Sequence, residues 1–127
     1  MRVAIDTNAY VGFLRGEREL VEAIGRAEKI FLPFVVLAEL MAGFLGGSRS
    51  ERNERSLIRF LNAPRVEPLF ADEQTTHHYA RLYLQLRKQG TPIPTNDLWL
   101  AALVSQHDLM LLARDRHFDH LPQLPRA

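Results

Sequence analysis

The stretch Arg2-Val3-Ala4-Ile5-Asp6-Thr7-Asn8 decides how the rest of the chain is read. Its first four residues are short, apolar after Arg2 and partly β-branched, which suits an extended strand. Asp6, Thr7 and Asn8 then offer three side chains able to bond the nearby backbone, so the strand should end there at a turn or helix cap. Outward from this junction the same alternation recurs. Tyr10, Phe13 and Leu14 follow helical spacing up to Gly16, and Leu20, Val21, Ile24 and Ala27 mark one face of the next helix. Ile30-Phe31-Leu32 reads as a second buried strand ended by Pro33. Val35 to Leu45 is helical and closed by Gly46-Gly47-Ser48, and Ser50 to Leu61 is amphipathic with Leu57, Ile58 and Leu61 inward. Arg65 to Phe70 is a third strand, which Pro68 directs to an edge. Asp72 caps a long helix that Gly90 ends. Pro92-Ile93-Pro94 is extended, Thr95 or Asn96 caps a helix through Trp99, Leu100, Leu103 and Val104, and Leu109 to Ala113 is a buried strand.

Short strands separated by helices imply an α/β fold with a short parallel sheet covered by helices on both faces. Ligands in such sheets sit beyond the C-terminal ends of the strands. Asp6 and Asp115 each follow a strand that reads as central, which puts two carboxylates on one rim. The 127 residues fit a single domain over 1–127. With 46% hydrophobic residues a real core can form, so disorder is not the expectation. The absence of cysteine excludes disulfides, thiolate zinc sites and thiol catalysis, and suits a reducing cytoplasm. The N-terminus meets a charge too soon for a signal peptide, and no apolar run approaches the roughly 20 residues of a membrane-spanning helix. A net charge of +1 means that any contact with nucleic acid comes from a local basic patch. No Gly-x-Ser-x-Gly elbow, P-loop or Gly-x-Gly-x-x-Gly is present.

Four acids stand out, and each has a plain structural alternative. Asp6 suits a cap at a strand end, Asp115 a solvated Arg-Asp-Arg turn, and Asp97 the first turn of a helix, where the macrodipole favours it. Glu39 is the only charged residue between Lys29 and Arg49, within Phe34-Val35-Val36-Leu37-Ala38-Glu39-Leu40-Met41. Burying an ionised carboxylate in such a helix is costly unless it is paired or binds a cation. Together the four suggest an oxygen-rich site for Mg2+ or Mn2+, since zinc favours histidine or cysteine. Crowded carboxylates repel, and a bound cation offsets that repulsion.

Arg49, Arg52, Arg55 and Arg59 recur at roughly helical spacing, as either a contact to a nucleic-acid backbone or a solvated face. Arg114 and Arg116 flank Asp115 and are the better placed for phosphate. His117 and His120 with Asp115 and Asp119 can be read as a metal cluster, but a groove-lining or structural role is the expectation. His77 and His78 read as surface residues, and Trp99, Leu100 and Leu103 as core.

Asp6-Thr7-Asn8 after a first strand, Glu39-Leu40 followed by Gly43, Asn96-Asp97-Leu98-Trp99-Leu100-Ala101-Ala102 and Leu112-Ala113-Arg114-Asp115-Arg116-His117-Phe118 together resemble the PIN domain. The pattern is most similar to that of VapC-type toxins from toxin–antitoxin pairs, over essentially the whole chain. The resemblance implies a PIN-like three-layer sandwich and an endoribonuclease using Mg2+ or Mn2+. It implies Asp6, Glu39, Asp97 and Asp115 as catalytic metal ligands, with Thr7, Asn8 and Asn96 supporting; Arg114, Arg116, Arg52 and Arg55 remain candidate RNA contacts by their own positions in the chain. It further implies a homodimer and a cognate antitoxin whose C-terminal segment fills the groove. One position departs: many relatives carry threonine or serine where this chain has Ala113. Two rival readings remain. A phosphatase forming an aspartyl-phosphate on Asp6 commonly needs Asp-x-Asp, and Asn8 stands at the second position. A PIN-like module that binds RNA or a partner without cutting has no need of four acids.

Overall fold

The computed structural model describes residues 1–127 as a four-stranded parallel sheet flanked by six α-helices. Strand β1 (Arg2–Ile5) leads into α1 (Thr7–Leu14) and α2 (Arg18–Arg26), then β2 (Lys29–Pro33), α3 (Phe34–Leu45) and α4 (Ser50–Leu61). Strand β3 (Val66–Leu69), α5 (Glu73–Gln89), α6 (Thr95–His107) and β4 (Met110–Leu112) follow, with a short 3-10 helix at Arg116–His120. The sheet order is β3-β2-β1-β4. Val3, Ala4 and Ile5 are all fully buried. Successive strand side chains point to opposite faces, so helices must cover both. No helix is long and apolar enough to cross a membrane.

The α/β pattern and the four strands agree with the sequence reading, and β3 with Pro68 lies at an edge as expected. Strand β4 does not lie centrally: it forms the opposite edge. Its apolar character reports buried faces, and the chain terminus supplies the missing backbone partners. Leu111 N–H donates to Pro125 O at 2.7 Å, and Ala127 N–H donates to Leu111 O at 2.9 Å. The edge is thereby blunted against further pairing.

Helix boundaries follow local chemistry. Gly12 is buried where α1 passes α2, because a Cβ there would overlap the Leu20 side chain. The long helix α5 begins with a reciprocal cap, in which Asp72 Oδ1 accepts from Thr75 N–H and Thr75 Oγ1 accepts from Asp72 N–H. Gly90 ends it at φ 72°, a left-handed conformation suited to glycine. Helix α6 starts one residue earlier than expected: Pro94 is the cap, and Thr95 and Asn96 are its first two residues. Proline is pre-set for an extended entry, and its carbonyl accepts from Leu98 N–H at 3.0 Å. In α4 Leu57 is buried but Ile58 is 57% exposed, so the inward face is narrower than its periodicity suggests. Val21 of α2 is likewise exposed.

Asp72 also ties α5 to α6, since Gln106 Nε2 donates to its carboxylate at 2.8 Å. These bonds favour the ionised form and hold its pKa below the ordinary value, the Gln106 bond contributing most. Stability from a depressed carboxylate is present above the unfolded pKa and is lost as pH falls through the folded one. Asp72→Ala should therefore lower the melting temperature by a few degrees at neutral pH. Melting curves across the acid range should show the gap to wild type narrowing as pH falls; a gap independent of pH would assign the effect to packing.

Candidate active site

The parallel topology delivers Asp6 and Asp115 to one rim. Asp6 caps α1 directly after β1, and Asp115 follows β4, the neighbour of β1. Asp97 sits in the first turn of α6, and Glu39 faces them from α3. All four line one cavity of about 140 Å3, together with Thr7, Asn8, Asn96, Val35, Val36 and Leu100. The structure thus brings together every acid singled out in the sequence. No lysine or arginine is among the lining residues.

Each acid is held by an identifiable partner. Asp6 is 5% exposed; its Oδ1 accepts from Ala9 N–H at 2.7 Å and its Oδ2 from Arg114 N–H at 3.3 Å. Burial raises its pKa above the ordinary value, against these backbone bonds and with the charge of Asp97 pushing the same way. Asp97 is also raised, chiefly by burial, with Asp115 and Glu39 adding repulsion and a bond to His117 opposing. Thr7 Oγ1 donates to Glu39 Oε1 at 2.7 Å. Asp115 Oδ1 accepts from His117 N–H at 2.9 Å. The His117 ring stands between two acids, Nδ1 lying 2.8 Å from Asp97 Oδ2 and 2.7 Å from Asp115 Oδ1. The bond to Asp97 is the main cause raising the histidine pKa.

Glu39 reaches this position differently from the sequence argument. It is exposed, so α3 does not bury a charge. Only Val35, Val36 and Leu40 of that helix are buried, which leaves Glu39 free to face the cavity from the solvent side. Periodicity could not reveal this in a helix apolar on most sides.

The arginines divide. The Arg114 side chain pairs with Glu17 at 2.5 Å, a partner not anticipated, while its backbone serves Asp6. Arg116 is exposed beside Asp115. Arg52 and Arg55 line a separate surface depression with Arg49 and Glu51, outside the acidic cavity. His117 lines the groove, as expected, and the structure adds its contacts with Asp97 and Asp115. A cap and tight turn at Asp115 fold it back toward the site.

Carboxylates this close, with no lysine or arginine among them and only His117 at the edge, form a donor set that fits a hard divalent cation. A family model described as "PIN domain" matches residues 3–124. Ribonuclease VapC4 of Mycobacterium tuberculosis is 34% identical over 90 residues, covering 71% of this chain and 69% of that protein. Ribonuclease VapC1 of Haemophilus influenzae is 27% identical over 125 residues, covering 94% and 92%. The solved structure of VapBC-1 from nontypeable Haemophilus influenzae superposes with a TM-score of 0.88 at 26% identity, covering 100% of this chain and 97% of that one. VapBC2 from Rickettsia felis, solved bound to a DNA fragment from its promoter, gives 0.86 at 25% identity, covering 100% and 98%.

The raised pKa of Asp6 carries a stability cost. A carboxylic acid raised on folding stabilises fully below its unfolded pKa, near 3.8, and loses that contribution as pH rises through the folded value. Asparagine keeps an acceptor for Ala9 N–H without the charge but gives up the one for Arg114 N–H, a loss that does not depend on pH. In metal-free buffer the melting temperature of Asp6→Asn relative to wild type should therefore rise by a few degrees from acid to neutral pH. A relative melting temperature that stays flat or falls over that range would mean that the ionised group stabilises through its backbone bonds.

Proposed function

The chain belongs to the PIN-domain family, and on that footing we propose that it is a divalent-metal-dependent endoribonuclease, the toxin of a toxin–antitoxin pair. The observation that supports this reading best is the convergence of four carboxylates on one small cavity that no lysine or arginine lines. VapC ribonucleases covering most of the chain support the choice of RNA as substrate.

In this reading Asp6, Glu39, Asp97 and Asp115 hold Mg2+ or Mn2+. When bound, the cation supplies positive charge that acidifies water and offsets charge developing on the phosphodiester. The chain's own residues supply position. The two backbone bonds of Asp6 stop its carboxylate from rotating, and the Thr7 hydroxyl orients Glu39. Asn8 and Asn96 add neutral donors and acceptors at the cavity wall. With Ala113 in place of a hydroxyl residue, Thr7 is a hydroxyl already committed to one of the acids. Arg116, and more remotely Arg52 and Arg55, contact the RNA backbone, giving affinity without sequence information. Arg114 joins them only by leaving Glu17.

The partner is an antitoxin protein, in line with the toxin–antitoxin complexes among the similar structures. In this reading the working form is a homodimer in the cytoplasm.

Purified protein should cut RNA with Mg2+ or Mn2+ and stop in excess EDTA; full cleavage with the chelator present would overturn the mechanism. Asp97→Asn should lower the cleavage rate about a hundredfold or more while leaving the circular dichroism spectrum unchanged. Added Mg2+ or Mn2+ should raise the wild-type melting temperature by mass action, and by much less in Asp97→Asn. Equal shifts in the two proteins would place the ion elsewhere.

A further inference from the structure

We propose that His117 Nδ1 is a third protein donor, with the carboxylates of Asp97 and Asp115, in a mixed nitrogen–oxygen seat that prefers a transition-metal ion to Mg2+. The inference rests on the reading of the acidic cavity as a metal centre and assigns one of its ligands and its selectivity.

The geometry comes first. One donor atom from each of the three residues lies within 4.8 Å of the others, and Nδ1 is 2.8 Å and 2.7 Å from the two carboxylate oxygens. Neighbouring donors on an octahedral ion with bonds near 2.1 Å stand about 3 Å apart, so Nδ1 already has neighbouring-donor spacing to each oxygen, and the two oxygens lie within 4.8 Å of each other. The ring is held on both sides. Asp115 caps the turn through His117 N–H, and the next residue, Phe118, is 1% exposed and anchors the 3-10 helix in the core. The imidazole itself is 44% exposed at the mouth of the site, where water can complete a coordination shell.

The chemistry gives selectivity. Four carboxylates by themselves suit Mg2+, which gains little from exchanging an oxygen for an imidazole nitrogen. Manganese, cobalt and zinc gain progressively more in line with their general affinity order. The sequence cluster of Asp115, His117, Asp119 and His120 separates in the fold. Asp119 pairs with Arg126, and the His120 carbonyl accepts from Gln89. The nitrogen donor is therefore His117, and its carboxylate partners come from α6 and the end of β4.

Calorimetric titration of the metal-free full chain with Co2+ and, separately, Mg2+ tests this. His117→Ala should weaken Co2+ by about tenfold or more and change Mg2+ by less than about twofold, while His120→Ala changes neither. In wild-type protein labelled with 15N at histidine, Zn2+ should shift the Nδ1 resonance of His117 and not that of His120. The assignment is overturned if His117→Ala weakens both ions equally or neither, or if Nδ1 does not move with Zn2+. If the wild type binds no divalent ion at all, the metal-centre reading falls as well, which separates the two failures.

Discussion

One carboxylate joins the two halves of the site. Asp6 caps α1 with one oxygen and receives the backbone of Arg114 with the other. A single buried side chain thus fixes the exit of β1 relative to the exit of β4 and sets where Asp115 can stand. Buried backbone N–H groups need acceptors, and this carboxylate meets two of them at the site itself. The cost is an ionisable group in a desolvated place, raised in pKa and repelled by Asp97. Structure and chemistry therefore ask opposite things of Asp6. Its hydrogen bonds require an oxygen there, whereas its charge is favourable only with a cation nearby.

The remaining acids depend on that junction in different ways. Asp97 is positioned by the start of α6, where Pro94 fixes the entry angle and the first turn faces the rim. Glu39 depends on α3 crossing close to α1, near enough for the Thr7 hydroxyl to reach it. His117 depends on the cap at Asp115 and on Phe118 buried beneath it. Each carboxylate thus has its own support from backbone, hydroxyl or imidazole. None of the four is neutralised by a lysine or arginine in the cavity.

The two sheet edges show how far composition can mislead. At β3 a proline in the strand foretold an edge, because proline cannot donate to a ladder. At β4 no such mark exists. Leu109 through Leu112 is as apolar as an interior strand because its faces are buried, while its free edge is satisfied by Pro125 and Ala127. Hydrophobicity records contact with the core and is blind to how many strands lie alongside.

The amino-acid sequence by itself determined the alternation of strand and helix, the ends of α4 and α5, the Asp72 cap and the helix stop at Gly90. Those features arise from side-chain spacing and from bonds between residues a few positions apart. It also marked the four acids, through their places after strands and within a family-like pattern. Only the tertiary structure decided that they share one cavity, that Glu39 enters it from an exposed face, that Arg114 turns to Glu17, and that His117 bridges Asp97 and Asp115. Those relations join residues as far apart as 6 and 114, and local spacing carries no information on contacts made across the sheet.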